Sequence, residues 1–268
     1  MQRVLLIPAR FTDWRMWAGI PDRLSRRAAV SHLDQLISLP WTGAPDAVAG
    51  LARGQAPGGW DVVVAAGQAC PFAVALGAAG LARGIVLAEP EIPFDRIPED
   101  VDVVIEPPDP DVLAPYEHLV AALHDADPEQ WRALVRQAVR QTSPSAVPPA
   151  ELDLAVQLAG DHAADFRAEL LAFEAASAAE RSLPDPGQLA RLHARGHWLD
   201  QLAALTIPVV TVVPAVRRYV AETIGKLAVY PEAALTDGTI LAGGAQPGAR
   251  DQAAAAIERL LEVVGGQG

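Results

Sequence analysis

The sequence is scarce in several residue types, and each scarcity excludes a class of protein. The 268 residues include one cysteine, Cys70, which excludes an internal disulfide framework and fits a reducing compartment. Lys226 is the one lysine among 21 Lys and Arg residues, and the net charge of −12 disfavours a nucleic-acid partner, because phosphate binding needs clustered cations. No apolar run approaches the ~18–20 residues of a membrane span, and Val4–Ile7 is too short for a signal peptide. We therefore expect a cytoplasmic protein without a membrane partner, and the excess of Arg, Ala, Gly and Pro indicates a bacterial source.

What the sequence does contain is an alternation of short β-branched runs and helical patterns. The apolar fraction of 51% and the charged fraction of 20% are those of an ordinary globular protein with a substantial core. Apolar strands between helices are typical of an α/β fold with a mainly parallel sheet covered on both faces. The predicted strands are Val4–Ile7, Ala28–Leu33, Asp61–Ala65, Gly84–Ala88, Val101–Ile105, Ile207–Val213 and Leu227–Tyr230. The predicted helices are Trp14–Arg27, Asp46–Arg53, Pro71–Leu81, Pro115–Asp125, Pro128–Gln141, Pro149–Gly160, His162–Ala179, Gly187–Leu205 and Gly248–Val264.

The segment Trp60–Leu76 predicts a strand, a sharp turn and a helix, the geometry on which the motif G-x-S-x-G mounts a nucleophile. Its turn has the small flanking residues of that motif, but the nucleophile position holds Gly67 or Gln68, and neither can attack a carbonyl. A glycine there would relieve the strain of a positive φ. The amide of Gln68 or Ala69, at the start of the following helix, could still bind an anion or a carbonyl oxygen.

The order of these elements resembles the α/β-hydrolase superfamily over nearly the whole chain. The resemblance rests on Val4–Ala9, Trp14–Trp17, the turn after Asp61–Ala65, Ile85–Pro90, Leu205–Val213 and Gln246-Pro247. It implies an α/β-hydrolase-like core at residues 1–110 and 205–268 with a helical cap inserted at residues 111–204.

The catalytic positions that the resemblance implies are vacant, so the chain is expected to be a divergent member without a Ser-His-Asp triad. Ser-dependent acyl transfer is thereby excluded. The corresponding residues are Gly67 or Gln68 for the nucleophile, Arg217 for the acid, Thr239 or Ile240 for the histidine, and Pro8-Ala9 for the His-Gly of the oxyanion loop.

Five other residues are candidates for chemistry. Cys70 either packs as a small apolar residue or acts as a nucleophile activated by the helix N-terminus. Glu89 follows a predicted strand at the carboxyl edge of the sheet, where ligands bind, and is either an acid/base or a structural carboxylate. His32 is a general base or a packing residue. His193 and His197, four residues apart, could line a pocket, but no H-E-x-x-H pattern or neighbouring ligand set accompanies them, so we expect no metal and no cofactor.

Three functions compete for this chain. The first is a non-hydrolytic enzyme that cyclises, eliminates or rearranges a small organic metabolite under the cap, with His32, Glu89 and His197 as catalytic candidates. The second is a non-catalytic protein that binds a ligand or a partner, and the third is a hydrolase whose water is activated by His32 or a cap histidine. The size of the cap favours an enclosed pocket, although caps also mediate homodimers. The expected pocket residues are Pro8, Ala9, Gly67, Gln68, Ala69, Cys70, Arg217 and Ile240.

Overall fold

The computed structural model divides into two compact units, each described here by itself. The first holds the strands and helices before residue 104 and after residue 193, and the second holds the helices between them. The predicted boundaries of core and cap, at residues 110 and 205, remain predictions. The structure describes residues 1–9, 12–33, 44–93, 96–103, 122, 127–142, 149–164, 167–168, 197–236 and 247–266.

Six strands form one sheet in the order β2-β1-β3-β4-β5-β6, and every neighbouring pair is parallel. The predicted α/β architecture with a mainly parallel sheet is therefore confirmed. The strands are β1 Gln2–Ile7, β2 Ala28–His32, β3 Val62–Ala66, β4 Ile85–Ala88, β5 Pro208–Pro214 and β6 Tyr230–Thr236.

The strand order reverses between β1 and β3, since the chain first moves outward from β1 to β2 and then continues on the other side of β1. Open parallel sheets bind ligands at such a reversal, outside the carboxyl ends of the strands. The register brings these ends side by side, because Ile7 pairs with Ala65, Ala66 with Ala88, and Ala88 with Val212. The loops after β1, β3, β4 and β5 therefore share one edge of the sheet.

Helices cover both faces of this sheet. Side chains alternate between the faces of a strand, and one face packs Leu5, Val63 and Leu87 into a core cluster with α2, α3 and α6. On the opposite face, α7 packs along the sheet and contacts α1. Each fully buried Val or Leu side chain stabilises the fold by about 1.5–3 kcal/mol. The helices are α1 Ile20–Leu24, α2 Ala44–Gln55, α3 Cys70–Ala78, α4 Pro128–Thr142, α5 Pro149–Asp161, α6 Arg218–Leu227 and α7 Pro247–Gly265.

The second unit contains α4 and α5, which pack against each other. The indole of Trp131 donates a hydrogen bond to the carbonyl oxygen of Ala159 at 2.8 Å. On the outer side, Arg136 pairs with Asp153 at 3.1 Å. Gly160 lets the helices approach, since a Cβ there would collide with the side chain of Arg132.

Two predicted elements near the N-terminus and after β4 are wrong in part. Residues Trp14–Arg27 do not form one helix, because Gly19 adopts a φ of +83° and separates a 3-10 turn at Trp14–Trp17 from the short helix α1. Residues 101–103 are not a strand, and the rest of Val101–Ile105 lies outside the described residues.

The last strand begins where its prediction ended. Leu227 closes helix α6, which the sequence analysis missed, and β6 starts at Tyr230. The first four side chains of β6 are exposed, and Pro231 is tolerated because β6 is an edge strand.

The predicted helices Pro115–Asp125, His162–Ala179 and Gly187–Leu205 lie largely outside the described residues. Within these three ranges, the described residues 122, 163–164, 167–168 and 197–203 are helical. Within the described part of the chain, no helix is both long and apolar enough to cross a membrane.

Candidate functional site

The turn after β3 is built around a glycine in a left-handed conformation. β3 ends at Ala66, a 3-10 turn covers Gly67–Ala69, and α3 begins at Cys70. Gly67 is buried and has a φ of +53°, a conformation that would cost a residue with a Cβ about 1–2 kcal/mol. The N-cap residues of the 3-10 turn and of α3, Ala66 and Ala69, have no side chain that could cap them. The residue with a positive φ in the predicted sharp turn is thus Gly67, and Gln68 follows it.

Gln68 brings a polar group into this turn. Its residue is half-buried, and its Oε1 atom is buried without a hydrogen-bond partner among the residues that the structure describes. Such an unpaired acceptor destabilises a fold by about 1–3 kcal/mol. The sequence pattern identified the position but not this unpaired atom.

Cys70 packs behind the turn with its thiol fully enclosed. The Sγ atom lies 3.3 Å from the carbonyl oxygen of Ala65 and 3.7 Å from that of Ala88, both within reach of the S–H donor. Burial raises the pKa of the Cys70 thiol well above its usual value, and the negative charges of Glu91 and Glu89 add to the rise. The thiol is therefore protonated at neutral pH, which disfavours Cys70 as a nucleophile.

Glu89 lies at the next strand end. It follows β4 directly, its side chain is 3% exposed, and its amide donates to the carbonyl oxygen of Val212 at 2.7 Å. Glu89 has a φ of +50°. Among the described residues, it is the one residue other than glycine with a positive φ. Backbone strain of this kind costs about 1–3 kcal/mol and clusters at active sites. The sequence predicted the position of Glu89 but not its backbone conformation.

Arg217 reaches toward this strand end from β5. It closes the 3-10 turn Ala215–Arg217 after β5, and its Nη2 atom donates to the carbonyl oxygen of Pro90 at 3.1 Å. Arg217 is half-buried and opposes the rise of the Cys70 pKa. The described ends of β3, β4 and β5 therefore bring together four predicted residues, which are Gly67, Cys70, Glu89 and Arg217.

The segment after β1 is closed by its own contacts. Pro8 and Ala9 are buried, and the amide of Ala9 lies 3.1 Å from the Sδ atom of Met16. The hydroxyl of Thr12 donates to the carbonyl oxygen of Ala9 at 2.6 Å. The amide of Ala9 is thus directed at a sulfur atom and not at the carboxyl edge.

His32 lies at the rim of this edge. It ends β2, which β1 separates from β3, so that His32 lies two strands, roughly 10 Å, from the turn at Gly67. Its ring centroid is 6.0 Å from that of Trp14, at an interplanar angle of 49°. Trp14 is 51% exposed, and sequence reasoning missed its contact with His32.

His197 points into solvent. Its side chain is 70% exposed, and its Nδ1 atom lies 3.7 Å from Oδ2 of Asp200. The other carboxylate oxygen of Asp200, Oδ1, accepts a hydrogen bond from Arg96. The neighbouring Trp198 and Leu199 pack into the core cluster. His197 therefore belongs to a surface ion cluster.

Ile240, Thr239 and His193 lie outside the described residues. Within the described ranges, no group of three His, Cys, Asp or Glu side chains could hold a metal ion.

Comparisons with known proteins concern the fold. No model of a known protein family and no curated protein matches this sequence. The chain is similar to Cfl2 from Burkholderia cenocepacia, with 17% identity and a TM-score of 0.59 over 96% of this chain and 86% of that one. It is also similar to a haloalkane dehalogenase variant from Bradyrhizobium elkanii, with 14% identity and a TM-score of 0.58 over 99% of this chain and 90% of that one. A thermophilic esterase from Thermogutta terrifontis has 13% identity and a TM-score of 0.54, over 98% of this chain and 90% of the esterase. The chain therefore has the α/β-hydrolase fold.

Proposed function

We propose that this chain is an α/β-hydrolase-fold protein without a catalytic triad, and that it converts a small organic molecule by acid–base chemistry without hydrolysis. Glu89 is the group that transfers the proton. The reaction class is a cyclisation, elimination or rearrangement, each of which needs a positioned acid or base but no covalent intermediate.

The burial and backbone strain of Glu89 carry this proposal. A carboxylate that is 3% exposed and held at a φ of +50° loses solvation and gains steric strain, and neither is needed to end a strand. Its position is at the carboxyl edge, the edge where open parallel sheets bind ligands, one strand away from the reversal between β1 and β3. A carboxylate in this environment is suited to accept a proton from a bound molecule and to return it to another atom.

The neighbouring turn supports chemistry without a nucleophile. Gly67 has no side chain, so a ligand atom could approach the backbone where a serine would otherwise lie. The amides of Gln68 and Ala69 stand at the N-terminal side of α3, whose N-cap residue is an alanine without a capping side chain. They would stabilise negative charge that develops on a substrate oxygen. Because Cys70 is protonated and enclosed, we leave it out of the reacting groups, and we leave out His197 because it is exposed.

The test compares Glu89→Gln with Glu91→Gln, a matched change at the exposed carboxylate two residues later. Purified wild-type protein and both variants are incubated with a bacterial metabolite extract in H2(18)O, and the products are followed by mass spectrometry. We expect the wild type to deplete at least one metabolite and to form an isomer or an elimination product without 18O. Glu89→Gln should lower the rate of that conversion by about 10²–10⁴-fold, the usual contribution of a general acid or base. Glu91→Gln should leave the rate unchanged.

Other results would point to the competing functions. Incorporation of one 18O atom into the product, with loss of activity in Glu89→Gln, would make the protein a hydrolase with a water nucleophile. A metabolite that is retained by the protein without being converted would favour a non-catalytic binding protein, the function that the vacant nucleophile position at Gly67 also suits. Conversion that is equally fast in Glu89→Gln would reject Glu89 as the acid/base.

A further inference from the structure

Arg217 differs in its pairing from Arg15, an arginine in the segment after β1. Arg15 is neutralised within its own loop, since its guanidinium donates to both carboxylate oxygens of Asp13. Arg217 donates to a neutral acceptor, the carbonyl oxygen of Pro90, at 3.1 Å. Among the residues that the structure describes, no carboxylate forms an ion pair with it.

The guanidinium of Arg217 is turned toward the sheet edge. Its neighbours in sequence, Val216 and Arg218, are exposed, whereas Arg217 is half-buried and reaches over the end of β4. Arginine has five N–H donors in a planar fork, and the bond to Pro90 uses one of them. The remaining donors form a positively charged group beside the strand end of Glu89, in a protein with a net charge of −12.

We propose that Arg217 binds a carboxylate group of the substrate, so that the protein acts on small organic acids. This inference rests on the proposed function, because it names the substrate class of the same site. A planar guanidinium matches a carboxylate with two parallel hydrogen bonds. Arg217 supplies one positive charge, which fits a monocarboxylate better than a phosphate dianion. The charge of Arg217 would anchor the carboxylate while Glu89 exchanges a proton with another atom of the same molecule.

The test uses benzoate and its neutral isostere benzamide as probes. Their dissociation constants are measured by ligand-observed NMR titration at low ionic strength, for the wild type and for Arg217→Gln, Arg217→Lys and Arg218→Gln. Arg217→Gln retains a donor for the Pro90 carbonyl but loses the charge, and Arg217→Lys retains the charge but loses the fork. Arg218→Gln makes the same change of charge at the exposed neighbour. Circular dichroism melting curves establish that each variant is folded.

We expect the wild type to bind benzoate at least ten-fold more tightly than benzamide. Arg217→Gln should abolish this preference, Arg217→Lys should retain part of it, and Arg218→Gln should retain all of it. The assignment is overturned if benzoate does not bind measurably, if benzoate and benzamide bind equally, or if Arg218→Gln loses the preference as fully as Arg217→Gln. Phenyl phosphate binding ten-fold more tightly than benzoate would replace the carboxylate by a phosphate ester.

The binding test of Arg217 and the activity test of Glu89 can be rejected independently. A preference for benzoate over benzamide requires no turnover, so the wild type can show it even if Glu89→Gln converts metabolites as fast as the wild type. Conversely, a large effect of Glu89→Gln together with equal binding of the two probes would leave the acid–base chemistry intact and reject the organic acid as its substrate.

Discussion

Two neighbouring strands of the sheet end in residues with nearly the same backbone conformation and opposite side chains. Gly67, after β3, has a φ of +53°, and Glu89, after β4, has a φ of +50°. At Gly67 the left-handed conformation causes no steric strain and leaves no side chain at the edge. At Glu89 the same conformation strains the backbone of a residue whose carboxylate is almost fully buried. The comparison teaches that the strained backbone and the buried carboxylate of this edge lie together at Glu89, one strand away from the turn at Gly67.

Cys70 connects the two corners. Its Sγ atom lies within reach of the carbonyl oxygens of Ala65 in β3, two residues before Gly67, and of Ala88 in β4, directly before Glu89. A substitution at Gly67 or at Glu89 should therefore change the contacts of the Cys70 thiol.

The largest expected effect on stability comes from giving Gly67 a side chain. Gly67→Ala should lower the free energy of unfolding by about 1–2 kcal/mol, because alanine is strained at a positive φ. The matched control is Gly50→Ala, within helix α2, where an added Cβ meets nothing within 4 Å. That variant should gain about 0.5–1 kcal/mol from helix propensity. Urea denaturation measures both, and changes of the same sign would contradict the left-handed conformation of Gly67.

The second prediction concerns the thiol between the corners. Because burial raises the folded-state pKa of Cys70 above its ordinary value of 9.0, the unfolded chain loses this proton at a lower pH than the folded protein. The resulting stabilisation is fully present below about pH 9 and is lost as the pH rises from there toward the folded-state pKa, by up to about 1.4 kcal/mol for each pH unit.

The measurement is urea denaturation of the wild type and Cys70→Ala between pH 7.5 and 10. The difference in unfolding free energy between the two proteins should be constant at the lower values and should shrink above pH 9. A difference that does not depend on pH would mean that the thiol ionises as easily in the folded protein as in the unfolded chain.

The third prediction isolates the strain at Glu89. Glu89→Gly and Glu89→Ala both remove the carboxylate and its contacts, but only alanine retains a Cβ at the positive φ. Glu89→Gly should therefore be the more stable of the two by about 1 kcal/mol. At the exposed Glu91, the order should reverse, because glycine there adds only conformational entropy to the unfolded chain. Equal stability of the two Glu89 variants would show that the corner relaxes to a negative φ.

The sequence predicted the strands of this sheet better than it predicted the corners. β1, β3, β4 and β5 each contain a buried run of four or more mainly apolar residues, so their pattern specifies both the strand and its burial. β6 lacks this pattern, since it is an exposed edge strand that contains Pro231.

The candidate site was predictable as a set of positions and not as geometry. The positions of Gly67 and Glu89 follow from where their strands end. The positive φ of Glu89, the enclosure of Cys70 and the direction of Arg217 depend on contacts between strands that are distant in sequence, and no local pattern encodes them. His197 was suggested as a pocket residue by its helical spacing from His193, but its side chain faces solvent. A local pattern can therefore also suggest a site position that the fold does not use.

The smallest expected effect on stability concerns Gln68. Its substitution tests whether the buried Oε1 atom beside Gly67 stabilises the turn or is available to a ligand. Because Oε1 is buried without a partner among the described residues, Gln68→Met should remove an unsatisfied acceptor at nearly constant volume and raise the free energy of unfolding by about 0.5–1 kcal/mol. Gln55→Met, whose amide reaches the carbonyl oxygen of His32 at 3.5 Å from an exposed position, should change it by less than about 0.5 kcal/mol. A loss of stability in Gln68→Met would show that ordered water satisfies Oε1 in solution. A gain would mean that the turn carries a polar atom its own fold does not use, as expected where a ligand supplies the donor.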